Sequence, residues 1–380
     1  MTLKILRSLS FILLFCLPLA CNLPVMAPGS QEAPADGHGL LLVAPPGSTP
    51  TATPFQPLAP TPTYLPTGFP TAAPTLRPTN GNVEVAPTIE RTWADYPGPT
   101  IWPDIEVPPP TGILAHPEGQ VNILLLGSDQ RPNDGGFRTD TIILLTLNPE
   151  QGTAHLTSFP RDLYVYIPGY TVQRINTAFI MGGFEALALT MEYNFGVVPD
   201  HYVMINLWSF EAVIDSLGGI NVEAGQTLCD HRDNYGEYCV YQGTKLMDGE
   251  TALWYVRSRH SSSDFDRGRR QQEVVLAVFN RLLSMNGLQK APELYNLYKD
   301  NVTTDMDLSD MVQYLPLAAD LAASRQIERY YIGPPQVTSW INYSGSSVLL
   351  PIRSAVLEVM RQALTTPSSP RGASLELQGN

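Results

Sequence analysis

The chain has 380 residues, with 36 acidic against 23 basic side chains and a formal charge of −13. That balance argues against direct binding to nucleic acid, which needs a basic face to meet the phosphates. Nearly two-thirds of the 35 prolines fall between Asn22 and Pro117, so the length resolves into a proline-rich front and one globular domain.

Lys4 and Arg7 precede SLSFILLFCLPLA, an apolar run short of the ~20 residues a spanning helix needs, which reads as a secretory signal over 1–20. LPLAC, 17–21, resembles a bacterial lipobox. That resemblance implies cleavage before Cys21, which becomes the lipid-modified first residue; an uncleaved signal anchor is the alternative. Either way the domain is expected at the cell membrane, on its extracytoplasmic face. Residues 21–119 carry repeats such as PTPTYLPTGFPTAAPTLRPT, which bury little apolar surface and suit an extended tether, with a mucin-like binding stalk as the alternative. The globular domain is expected over 120–364, and 365–380 as a flexible tail.

Within the domain, VNILLLG (121–127), DTIILLTL (140–147) and TAHLTSF (153–159) read as buried strands, nearly continuous in apolar residues. INTAFIMGGFEALALTMEYNFG reads as a helix interrupted at Gly182 and Gly183. HYVMINL follows as a strand, FEAVIDSLGG as a helix with a glycine stop, and INV as a short strand. DGETALWYV is helical in pattern. RRQQEVVLAVFNRLLS is more so, with Val274, Val275, Val278, Phe279, Leu282 and Leu283 along one face. A helix at LSDMVQYLPLAADLAA, a strand at QIERYYIG and a helix near RSAVLEVMRQAL complete the series. The interleaving predicts an α/β (α+β sandwich) fold with a central mixed sheet flanked by helices.

Cys229 and Cys239 bracket CDHRDNYGEYC. In an oxidising compartment a disulfide closing this loop is the default. A zinc site from Cys229, Asp230, His231 and Cys239 is the alternative, although His231 lies only two residues from Cys229, an unusual ligand spacing.

Between Val121 and Asn280 the basic residues are ten arginines and the single Lys245. Arginine matches phosphate oxygens bidentately and stays charged when partly buried. Arg138 precedes one buried strand and Arg161 follows another, at strand ends where ligand groups gather. Arg257 and Arg259 share a face only if that stretch is extended. Arg267 and Arg270, in DFDRGRRQ, share a face at the start of a helix whose free N–H groups and dipole favour an anion. Asp264 or Asp266 is expected to cap that helix. The competing reading of DFDRGRRQ is a solvated network in which the arginines pair with Asp264, Asp266 and Glu273. Asp129 and Asp140 would project at one sheet edge if their strands are neighbours, a plausible Mg²⁺ position beside phosphates. Asp162 is expected to orient Arg161. A Walker-type phosphate loop and a nucleophile elbow are absent, and His155, His201 and His260 show no ligand spacing.

The ordered blocks NILLLGSDQ, RTDTIILLTLNP, SFPRDLYVYIPG, RINTAF, GGFEALALTM, HYVMINLWSFEAVIDSLGGINV, LMDGETALWYVRSR and DFDRGRRQQEVV resemble the LytR–CpsA–Psr family. The resemblance implies a Mg²⁺-dependent extracytoplasmic phosphotransferase. Such an enzyme moves a glycopolymer from a polyprenyl-pyrophosphate carrier onto peptidoglycan. By motif position it implies Asp129 and Asp140 as metal ligands. Arg138, Arg161, Arg257, Arg259, Arg267, Arg270 and Gln271 would then hold the pyrophosphate, with Arg138 and Arg267 joining the two carboxylates in catalysis. An apolar cavity lined by the GGFEALALTM helix and the 274–283 helix would hold the prenyl chain. Hydrolysis of the lipid pyrophosphate, or binding of lipid-linked sugars without chemistry, are the alternatives. This chain departs from the family in its lipoprotein start, its cysteine-bracketed loop, and Asp266 in place of a common glycine.

Overall fold

The computed structural model describes residues 85–130, 137–259, 263–285, 299–324 and 327–365. The signal segment, Cys21, His260 and the tail after 365 lie outside the described residues.

Three strands form the middle of the fold: β1 (Val121–Ser128), β2 (Thr139–Asn148) and β3 (Thr153–Ser158). They are the apolar, branched runs read from the sequence, joined as an antiparallel meander. A ribbon of β4 (Tyr164–Ile167) and β5 (Thr171–Arg174) leads into α1 (Ala178–Phe195). Next come β6 (His201–Asn206), α2 (Leu207–Ser216), β7 (Ile220–Ala224), the hairpin β8 (Leu228–Arg232) and β9 (Gly236–Val240), and β10 (Gly243–Met247). The helices α3 (Gly249–Arg257) and α4 (Asp264–Ser284) follow. The chain closes with β11 (Val302–Thr304), α5 (Leu308–Val312), α6 (Leu315–Ser324), β12 (Ile327–Tyr331), β13 (Val337–Ile341), β14 (Ser347–Pro351) and α7 (Arg353–Thr365).

The central sheet runs β11–β6–β1–β2–β3–β12. The β1–β6 and β3–β12 pairs are parallel and the others antiparallel, so the sheet is mixed and the fold α+β, as expected. Strand alternation assigns each face. Leu124, Leu126, Ile142 and Leu144 point to the side covered by α1 and α7, where they meet Leu187, Met191, Phe195 and Met360 in the main core. Ile123, Leu125, Leu145 and Val203 point to the other side, toward Phe279 of α4 and Leu317 and Leu321 of α6. Helix α1 breaks at Gly182 and Gly183, where φ reaches +67° at Gly183, a conformation costly for a side chain with a Cβ. Among the described residues no helix is long and apolar enough to cross a membrane.

The end of the expected tether is corrected. Residues 85–119 lie against the domain: Ile89 and Ile113 bridge, and Tyr96 packs edge-on against Tyr193 at 4.9 Å. Arg91 and Tyr96 both reach Glu192 at 3.0 Å, and the Tyr164 hydroxyl donates to Asp104 at 2.9 Å. Proline-rich composition predicts an extended path, which this strap has; its tyrosine and isoleucines give it something to bury.

Candidate active site

Register places the two carboxylates together. Ser128 pairs with Thr139 across β1 and β2, after a register shift at Gly127. Asp129 therefore follows one strand where Asp140 opens the other. The Arg138 amide donates to Asp129 Oδ1 at 2.6 Å and the Asp129 amide returns a bond to the Arg138 carbonyl at 3.1 Å, which fixes the loop ends. Asp140 accepts from Arg161 at 2.6 Å and from the Asn176 amide at 3.3 Å. Asp162, expected to orient Arg161, lies 3.5 Å from it and closer, at 3.1 Å, to Arg174.

Both carboxylates line a cavity of about 1430 Å³ on the α4 side of the sheet. Its walls are apolar: Leu125, Ile143, Val203 and Ile205 from the sheet, Phe210 and Val213 from α2, and Val274, Val278, Phe279 and Leu282 from α4. Its polar lining includes Asp129, Asp140, Arg257, Arg259, Arg267 and Gln271. The face of α4 read from the sequence does line it. Helix α1, expected as the second wall, does not: its apolar face packs on the opposite side of the sheet. Both helices are apolar, and composition cannot say which face each covers.

Helix α4 starts in a capping box. Ser263 is the N-cap, its hydroxyl accepting from the Asp266 amide, while Asp266 at N3 accepts from the Ser263 amide. Asp266 thus serves the helix end, and the cap expected at Asp264 or Asp266 is one residue earlier. Gln272 anchors the helix by donating to the Leu156 and Tyr330 carbonyls and the Ser158 hydroxyl at 3.2, 3.0 and 2.8 Å. Gln271, one residue earlier, then faces the cavity.

The arginines divide into three groups. Arg257, Arg259 and Arg267 line the large cavity. Arg267 is 5% exposed and paired with Asp264 at 2.5 Å. Burial pushes its guanidinium below the usual range; Asp264 opposes that shift, neighbouring Arg259 and Arg161 add to it, and Asp140 opposes it. A desolvated cation among cations is a place where a bound anion is favoured.

Arg138 and Arg161 instead line an adjoining pocket of about 300 Å³, with Asp162, Arg174, Asn176 and Asp264. The Arg161–Asp140 hydrogen bond links a residue of one space to a residue of the other. Arg174 and Asn176 belong to RINTAF and were given no role in the sequence reading. The signal was the turn in YVYIPGYTVQR, a hairpin that returns Arg174 opposite Tyr164.

Arg270 is corrected. It is 0% exposed and donates to the Tyr255 carbonyl and, at 2.7 Å, to the Ser258 carbonyl. Burial pushes its guanidinium down to about 10. It holds the end of α3 in place and does not line the cavity. The surface-network reading of DFDRGRRQ is met in part. Arg269 pairs with Glu273 and Arg267 with Asp264, but Glu273 and Arg267 are buried, so neither is a solvated pair.

Cys229 and Cys239 stand directly opposite in β8 and β9 and are joined by a disulfide of S–S 2.04 Å. Among the described residues no cluster of three or more His, Cys, Asp or Glu is placed to hold a metal. Two carboxylates suffice for Mg²⁺ when phosphates and water complete the shell. Asp129 and Asp140 fit that donor set. The Ser128 hydroxyl between their strands, buried without a hydrogen-bond partner, offers a further oxygen to that shell or to its water.

Residues 104–349 match the LytR_cpsA_psr family. The chain belongs to that family. Among curated relatives, the polyisoprenyl-teichoic acid–peptidoglycan teichoic acid transferase TagU of Oceanobacillus iheyensis is 37% identical over 199 residues, 50% of this chain and 60% of that one. TagT of Bacillus subtilis is 31% identical over 214 residues, 54% of this chain and 66% of that one. The chain thus spans between 60% and 66% of the length of these relatives. The crystal structure of B. subtilis TagV superposes with a TM-score of 0.55 at 26% identity, covering 64% of this chain and 95% of that one. The structure described as TagT bound to LI-WTA gives a TM-score of 0.52 at 26% identity, with 65% and 90% covered. The mixed sheet with flanking helices is the fold of this LytR_cpsA_psr group.

Proposed function

We propose that this LytR_cpsA_psr protein is an extracytoplasmic phosphotransferase. It moves a glycopolymer from a polyprenyl-pyrophosphate carrier to a hydroxyl of peptidoglycan. The observation that carries the reading is one continuous cavity, apolar along α2, α4 and the sheet, whose polar lining brings Arg257, Arg259 and Arg267 together with Asp129 and Asp140. A long hydrocarbon with an anionic head is the ligand class that uses both parts.

In the reaction, the acceptor oxygen forms a bond to the sugar-proximal phosphorus. The bond from that phosphorus to the bridging oxygen breaks, polyprenyl phosphate leaves, and the acceptor proton passes to solvent or base. Arg257, Arg259 and Arg267 neutralise charge gathering on the leaving phosphate, and Arg267, buried and paired with Asp264, does so with little reorganisation. Asp140 orients Arg161, and Gln271 offers an amide to a phosphate oxygen. Mg²⁺, held by Asp129 and Asp140, would supply further charge neutralisation at the phosphates. Relatives named as teichoic acid transferases support this class of donor and acceptor. Membrane attachment through lipid on Cys21 belongs to the same proposal, and Cys21→Ala should release the protein from membranes or leave an uncleaved precursor.

The test supplies the full chain, in detergent, with a polyprenyl-pyrophosphate glycan labelled in the sugar, peptidoglycan and Mg²⁺. Label should move to insoluble peptidoglycan as polyprenyl phosphate appears. Soluble sugar phosphate instead would mean water is the acceptor, and an intact bound donor would mean a binding module.

A further inference from the structure

The hairpin β8–β9 contributes Asp230, His231, Arg232 and Asp233 to the cavity wall, yet the transfer above makes no use of it. Among the described residues, its side-chain contacts with α3 fall along one line. Arg232 pairs with Glu250 at 3.2 Å. The Trp254 indole donates to the His231 carbonyl at 3.0 Å, and Tyr238 meets the Trp254 ring edge-on at 5.1 Å. The Ser258 hydroxyl donates to the Asp230 carboxylate. Glu250, Trp254 and Ser258 are four residues apart, one stripe of α3 running into its C-cap.

Ser258 is the informative end of that stripe, because it separates Arg257 from Arg259. Were α3 to continue, those two side chains would diverge by about 200° around the helix. Ser258 instead leaves the helical region, with φ −55° and ψ 137°, and both arginines line the cavity. The residue is gripped from two sides. Asp230, 6% exposed, takes the side chain of Ser258, itself 8% exposed. Arg270 of α4 takes its carbonyl at 2.7 Å.

Among the described residues β8 and β9 form a sheet of their own, and a two-stranded ribbon is marginal in water unless it packs on another element, here α3. The Cys229–Cys239 disulfide closes it one residue before Asp230. We infer that this hairpin is a positioning element for Arg257 and Arg259: the disulfide fixes Asp230, and Asp230 fixes the bend at Ser258 that sends both guanidiniums into the cavity. The identity of the anion rests on the function proposed above; the grip on Ser258 does not.

Two measurements on the full chain test this. The first is hydrogen exchange at residues 257–259. The second is the affinity for geranylgeranyl pyrophosphate, with geranylgeraniol as the control that lacks the phosphates. The samples are Asp230→Ala, Asp230→Asn, Ser258→Ala, and the unmodified protein after dithiothreitol has transferred two electrons and two protons to the disulfide. Losing one buried hydrogen bond should speed exchange at 257–259 by about tenfold in both alanine variants and on reduction. Pyrophosphate affinity should fall by a similar factor while geranylgeraniol binding holds. Asp230→Asn, which keeps an acceptor oxygen, should recover most of both. Ser258→Ala removes a single hydroxyl and guards against a folding defect in the Asp230 variants. Unchanged exchange at 257–259 in the alanine variants and after reduction would overturn the inference. Faster exchange in a protein that binds the alcohol and the pyrophosphate equally would keep the positioning role and remove the transfer reading.

Discussion

Asp140 and Arg161 share a hydrogen bond of 2.6 Å across the boundary between the large cavity and the smaller arginine pocket. Each holds the other, so neither is independent in function. Asp140→Ala should reduce turnover by about a hundredfold, the scale of removing a charge-stabilising group from a water-poor site, and raised Mg²⁺ should restore part of it. Arg161→Ala should do similar damage. The double variant should lose much less than the product of the two, because both remove the same pair. Steady-state rates for the four proteins decide it, and multiplicative losses would mean that the two residues act separately.

Arg267 is both buried and paired with Asp264, so its removal has two effects. Arg267→Ala should slow transfer about a hundredfold and also lower stability by ~1–3 kcal/mol, since Asp264 loses its partner. Arg267→Lys should keep most of the stability and little of the rate, because a point charge replaces a planar fork. Equal recovery of rate and melting temperature in the lysine variant would contradict an anion-holding role.

Arg270 should behave in the opposite way. With its donors on the Tyr255 and Ser258 carbonyls, Arg270→Ala leaves buried acceptors unpaired and should cost ~3 kcal/mol or more. Urea unfolding reads the cost directly. A variant with native stability and lost pyrophosphate binding would return Arg270 to the ligand set.

The two faces of the sheet should separate in mutagenesis. Val278→Trp, on the cavity wall, should block geranylgeranyl pyrophosphate binding while the melting temperature moves little. Leu187→Ala, in the opposite core, should cost ~2–5 kcal/mol and leave binding intact. Calorimetric titration beside thermal melts distinguishes the two patterns, and their exchange would place the lipid site on the wrong face.

His155 supplies a pH test away from the site. It is 0% exposed, holds the Ala363 carbonyl at 2.5 Å, and burial lowers its pKa below the ordinary 6.5. The unfolded chain therefore binds the proton more readily than the folded one. Its contribution to stability is full above about pH 6.5 and declines as pH falls below that value. His155→Gln should lessen this decline between pH 7 and 5, measured as the slope of melting temperature against pH.

Strands β1, β2 and β3 were legible because buried strands need long runs of branched residues, and the break at Gly182 and Gly183 because a glycine pair rarely sits inside a helix for any other reason. Asp129, Asp140 and the cavity face of α4 followed from strand ends and helical periodicity. What could not be read depended on direction. Periodicity showed that α1 and α4 were each apolar, but the face of the sheet each covers is set by tertiary packing. Arg267 and Arg270 share a helical face by spacing, yet the α3 terminus reaches only Arg270. Arg174 needed a hairpin to bring it back, and the strap at 85–119 needed the aromatic partners that fold against it.

Helix α4 carries Arg267 near its start and Leu283 near its end, both on the cavity. Sixteen residues of helix set them about 24 Å apart, and a rigid rod keeps that interval constant. If the ligand is the polyprenyl pyrophosphate proposed above, the helix measures it: with the anionic head seated at Arg267, the far apolar wall would be covered only by a chain of matching reach. A shorter prenyl tail would seat its phosphates equally well and leave water against Phe279, Leu282 and Leu283, so discrimination by chain length needs no contact at the tail's tip.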